Sequence, residues 1–190
     1  MPRLGPTPPD WNALYALAAS QDGYFSAAQA DEVNFSIQDI AHHVRAGKFE
    51  RVLRGIYRLT QYPPGDHEDL AVAWLWSEGK GVVSHETALA LHELSDVMPR
   101  SIHLTVPAAW AKRRLRIPKN ITLHFNDVPA RDRAWFGSVP VTKPARAVRD
   151  AKIAHVSPEI IAKAVRDGVG RGMFSRADVR VAPPRNDAAP

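Results

Sequence analysis

Between Asp10 and Leu59 the apolar residues keep helical spacing through three short stretches and then, past Gly47, change to strand spacing. Few folds accommodate that change within so short a stretch. Asp10 is placed to cap a helix through about Ala19, on which Trp11, Leu14, Tyr15, Leu17 and Ala18 recur at helical intervals. Gln21-Asp22-Gly23 stops it, and Tyr24-Phe25 reads as extended. Ser26 caps a second helix, Ala27 to about Glu32, and Val33-Asn34-Phe35 makes the turn. Ser36 caps a third helix to about Ala46, with Ile37, Ile40, Ala41 and Val44 as its apolar face and Gly47 as its stop. Val52, Leu53, Ile56, Tyr57 and Leu59 are strand formers around a central Arg54-Gly55, which makes a hairpin. Helix, short helix, turn, helix, hairpin is the order of a winged helix-turn-helix.

Gln61-Tyr62-Pro63-Pro64-Gly65-Asp66 is the clearest break in the chain. Beyond it, helices are expected at 67–78 and 84–94, strands at 101–106, 121–125 and 139–141, and helices at 144–154 and 158–168. Along two of these strands polar residues alternate onto one face, His103 with Thr105 and Thr122 with His124. The expected fold is therefore α+β. A winged helix-turn-helix at residues 10–60 precedes a mixed α/β domain with a small sheet at 67–180, between flexible tails at 1–9 and 181–190.

Charge locates the candidate surface. The net charge is +5, yet residues 1–66 hold six basic and seven acidic side chains. Within that near-neutral third, residues 42–58 carry Arg45, Lys48, Arg51, Arg54 and Arg58 against Glu50 alone. Such a stripe suits phosphate contacts better than the bulk charge does. A groove-reading third helix would present Ser36, Gln38, His42, His43 and Arg45 to base edges and phosphates. Asp39 on the same face would need a local partner. Lys48, Arg51, Arg54 and Arg58 would grip the backbone from the wing. Protonation of His42 and His43 would then strengthen binding below about pH 6.5. A second basic run, Lys112, Arg113, Arg114 and Arg116, lies in a loop between strands and offers a further nucleic-acid or acidic-partner contact.

The chemistry of an enzyme is not expected. The chain has no cysteine, which excludes disulfides and thiolate metal sites. His85-Glu86 opens like a zincin helix, but Leu89 stands where the second histidine belongs, and His85 with His92 makes only two ligands. Gly79-Lys80-Gly81 lacks the flanking residues of a P-loop, and Gly168, Gly170 and Gly172 follow a helix instead of a strand. No catalytic residue, cofactor or metal is assigned. The N-terminus lacks the apolar core of a signal peptide, and no apolar run reaches membrane-spanning length, so a cytoplasmic protein without membrane contact is expected.

Several stretches in order resemble the AbiEi-type antitoxins, including their longer actinobacterial members. In the first third these are Gly23 to Ala30, Ala46 to Val52 and Arg54 to Leu59. Farther on they are His67 to Leu70, Ser84 to Val97, His103 to Pro107 and Val141 to Arg146. The resemblance implies a DNA-binding transcriptional autorepressor and the antitoxin of a type IV toxin–antitoxin pair, with a nucleotidyltransferase-like toxin. It implies double-stranded operator DNA with inverted repeats as one partner, and it allows a homodimer on that DNA. Direct contact with the toxin is left open. Relatives are richer in arginine along helix three, where this chain has Gln38, Asp39, His42 and His43. A stand-alone regulator, or a protein-interaction module without a toxin, is the alternative.

Overall fold

A computed structural model describes residues 8–96 and 98–181. The remaining parts of the two expected tails, residues 1–7 and 182–190, lie outside the described residues, as does Val97. The chain forms two units. One comprises the chain up to Gly81 with Gly137–Val139, and the other comprises Val82–Phe136 and the chain from Pro140 onward.

The first unit follows the spacing of its apolar residues. Helix α1 (Trp11–Ala19) begins where the Asp10 carboxylate accepts the Ala13 amide at 2.9 Å. After strand β1 (Tyr24–Ser26), α2 (Ala27–Glu32) opens on a capping box: Ser26 Oγ accepts from the Gln29 amide, and Gln29 accepts from the Ser26 amide. Helix α3 (Ile37–Arg45) is followed by β2 (Phe49–Leu53) and β3 (Ile56–Leu59), which turn over at Arg54-Gly55. Gly55 has φ +77°, which glycine adopts at little cost. The three strands form an antiparallel sheet in the order β1-β3-β2, with Tyr24 opposite Arg58 and Phe49 opposite Leu59. Leu14, Ala18, Phe25, Ala30, Phe35, Ile40, Phe49, Tyr57 and Leu59 close the core beneath it. Gly23 is required for a different reason: a β-carbon there would stand 2.6 Å from the Tyr62 ring.

The sequence points to a break at 61–66, but the first unit runs on through α4 (Glu68–Trp76), which packs on all three strands. Leu70, Ala71, Ala73 and Leu75 are buried on this helix, and Glu68 pairs with Arg58 of the central strand.

The second unit is a five-stranded mixed sheet. Its strands are β4 (Val82–Val83), β5 (Ile102–Val106), β6 (Ile121–Phe125), β7 (Arg133–Phe136) and β8 (Val139–Thr142), in the order β6-β5-β4-β8-β7. β5 runs parallel to β6, so residues 107–120 must cross over between them. Helix α5 (His85–Leu91) packs on β5 and α6 (Pro144–Ile153), and α6 packs on α7 (Pro158–Gly170). The two strands that periodicity does not reveal are β4, which has two residues, and β7, which is only half covered. No described helix is long and apolar enough to cross a membrane.

Candidate nucleic-acid interface

Helix α3 starts at a fixed point. Ser36 Oγ accepts the Asp39 amide at 3.1 Å, while Asp39 accepts from the Ser36 amide at 2.9 Å and from its hydroxyl at 2.6 Å. Asp39 therefore finds the local partner that its position demands. Those hydrogen bonds, side chain first and backbone second, hold its carboxyl below the usual range. Its charge also favours the positive end of the helix dipole.

The helix is rotated from the orientation its aliphatic residues suggest. Ile40 is buried and Val44 half-buried, but Ile37 is 59% exposed and Ala41 is exposed too. The inward position is taken by His43. Its ring lies 4.7 Å from Trp11, 5.2 Å from Phe49 and 6.0 Å from Phe35, centroid to centroid. An aromatic histidine fills that corner between three larger rings, which an aliphatic count does not register. His43 is thus half-buried against the core, its ring packed on all three. The outward strip consists of Ile37, Gln38, Ala41, His42 and Arg45, all exposed. Ile37 and Ala41 are two apolar members of this exposed strip.

His43 carries a pH consequence. Burial, then the nearby charges of His42 and Lys48, lower its pKa below the ordinary 6.5. Above that value both the folded and unfolded chains hold a neutral ring. As pH falls below it, the unfolded chain takes up a proton that the folded one resists, so stability is lost down to the folded-state pKa. His43→Phe is expected to reduce the drop in urea midpoint between about pH 7.5 and 5.5, which bracket the ordinary histidine value. Equal drops in variant and wild type would refute the assignment.

The wing residues divide similarly. Arg51 and Arg54 are exposed and have no ion pair among the described residues. Lys48 is exposed, with its ammonium 5.2 Å from the centre of the Trp11 ring, and Arg45 makes only a 3.3 Å hydrogen bond to the Ala41 carbonyl. Arg58 is different. Its side chain is 17% exposed, donates to the Tyr62 carbonyl at 2.9 Å, and lies 3.5 Å from Glu68 and 3.9 Å from Glu50. Beside it, burial and then the Glu68 carboxylate push the Tyr24 hydroxyl up to about 12. Arg58 is engaged in joining the central strand to α4. Lys112, Arg113, Arg114 and Arg116 are exposed on the crossover of the second unit, where Arg113 lies 4.2 Å from the Trp110 ring centre.

Three helices followed by a hairpin, with a three-stranded sheet in the order β1-β3-β2, define a winged helix-turn-helix domain. Residues 12–60 match the model of a family described as transcriptional regulator, AbiEi antitoxin, so this segment is similar to those regulators. No curated protein matches the chain.

Proposed function

We propose that the chain is a transcriptional autorepressor that binds double-stranded operator DNA through α3 and the wing. On the same reading it is the antitoxin of a type IV pair, and the second unit neutralises a nucleotidyltransferase-like toxin in the cytoplasm. The observation that carries the DNA reading is the division of labour on the winged domain. Ile40, His43, Val44 and Arg58 serve the fold, while Gln38, His42, Arg45, Arg51 and Arg54 are left exposed beside one another in sequence and type. Two inverted half-sites would take two protomers.

Fluorescence anisotropy with the DNA upstream of the chain's own reading frame tests this. Arg45, Lys48, Arg51 and Arg54 each neutralise one phosphate, which gives a slope of log affinity on log salt of about −3.6 per protomer. Binding that is absent, or insensitive to salt, overturns the reading. Co-expression with a nucleotidyltransferase-like toxin is expected to restore growth; failure to do so leaves a regulator without the antitoxin role.

A further inference from the structure

The parallel register of β5 and β6 sets His103 opposite Thr122 and Thr105 opposite His124, so the two polar strand faces form one surface. β4 feeds directly into α5, whose first residue, His85, has left-handed backbone at φ +51°. A non-glycine residue holds that conformation only where its surroundings enforce it. Its ring stacks on His124, with centroids 3.4 Å apart and planes 14° apart. His103 Nδ1 lies 3.0 Å from His124 Nε2. One potential ligand atom from each of the three histidines lies within 4.8 Å of the others.

The surrounding groups select which nitrogens are available. His85 Nδ1 is 2.8 Å from Ser84 Oγ, which also accepts from Thr105 Oγ1 at 2.7 Å. His103 Nε2 is 3.3 Å from a Glu86 carboxylate oxygen. With both of those nitrogens protonated toward their oxygens, His85 Nε2 and His103 Nδ1 carry lone pairs. Outer carboxylates and hydroxyls hold metal-binding imidazoles in this manner. His124 Nε2 must then donate its proton to His103 Nδ1; on metal binding that proton moves to His124 Nδ1, and the neutral ring ligates through Nε2.

A cavity of about 380 Å³ opens beside the cluster, lined by His85, His124, Asn126, Arg146 and Asp150 among others. Asp150 is 4% exposed, and Arg146 donates to its Oδ1 at 2.7 Å, yet its buried Oδ2 has no hydrogen-bond partner. A buried acceptor left unmatched in the cavity that His85 and His124 also line indicates a site with unused binding capacity. Three imidazoles without a thiolate favour ions such as zinc over magnesium or calcium.

We propose that the second unit binds one divalent transition-metal ion of the zinc class through His85, His103 and His124, with its remaining coordination position open to the cavity holding Asp150. This site stands independently of the DNA reading. The spacing test of His85 with His92 misses it, because His92 turns away and places Nε2 2.8 Å from the Thr142 carbonyl oxygen.

Chelator-stripped, tag-free full-length chain, titrated with zinc by calorimetry, is expected to bind one equivalent. Glu86→Gln should weaken that binding about 10- to 100-fold, as loss of a carboxylate behind a ligating histidine does. His103→Gln and His124→Gln should abolish it, and His92→Gln should leave it intact. Should the histidine variants fail to fold, imidazole nitrogen NMR of the wild type decides: zinc is expected to shift His85, His103 and His124 together. No saturable uptake at micromolar zinc, unchanged uptake in folded variants, or shifts confined to other histidines would each overturn the proposal.

Discussion

Replacing Arg51 and Arg54 together with alanine is expected to weaken duplex binding about a hundredfold and to shrink the salt slope by about two. In the proposed complex each exposed guanidinium supplies one phosphate contact, worth about tenfold as a charge-assisted hydrogen bond and about 0.9 in slope. Because neither arginine has an ion pair among the described residues, no structural bond is lost with them. Stability should therefore change by less than about 0.5 kcal/mol, as for ordinary surface changes. Arg58→Gln makes the contrast. It should leave the slope unchanged and lower the unfolding midpoint, because its guanidinium joins Tyr62, Glu50 and Glu68. Anisotropy across a salt series measures both. An unaltered slope in the double variant, or a diminished one in Arg58→Gln, would reverse the assignment of these arginines.

Phe49→Ala is expected to cost the winged unit about 3–5 kcal/mol, the usual range for truncating a buried phenylalanine. The Phe49 ring is 2% exposed and is surrounded by Phe25 at 5.0 Å, His43 at 5.2 Å, Trp11 at 5.6 Å and Phe35 at 6.1 Å. These partners come from α1, β1, the turn before α3, and α3 itself, so one cavity loosens every element that sets the reading helix. The loss is a large part of a small domain's whole stability. DNA affinity should fall with it, although Phe49 lies outside the proposed contact surface. Urea denaturation monitored by tryptophan fluorescence checks the size. A loss below about 1 kcal/mol would mean that the five rings do not pack as described.

The winged domain was largely legible because its signals are local. Asp10, Ser26 and Ser36 announce the helix starts, Gly47 and Gly55 the stops, and the change of period marks the wing. What local signals do not carry is which way α3 faces. Treating His43 as polar turned it outward, whereas three aromatic rings from distant positions draw it in. Arg58 escaped for a similar reason: its partner Glu68 lies across the Pro63-Pro64 break, on a helix that spacing assigns to the other domain. The histidine cluster depends on a register between β5 and β6 that no spacing encodes, since a crossover of basic and proline residues separates them. Only the alternation of His103 with Thr105 and of Thr122 with His124 hinted at a shared polar face.

The capping box at Ser36 and Asp39 has an evolutionary consequence. It fixes the first turn of α3 with side chains that point back along the chain, and Ile40, His43 and Val44 anchor the remainder. Ile37, Gln38, Ala41 and His42 are thereby released from any duty to the scaffold. On the proposed reading, successive substitutions at those four positions retune operator preference in small steps while the domain stays folded. A regulator of that kind would diverge from a duplicated copy of itself, and acquire an operator of its own, without passing through an unstable ancestor.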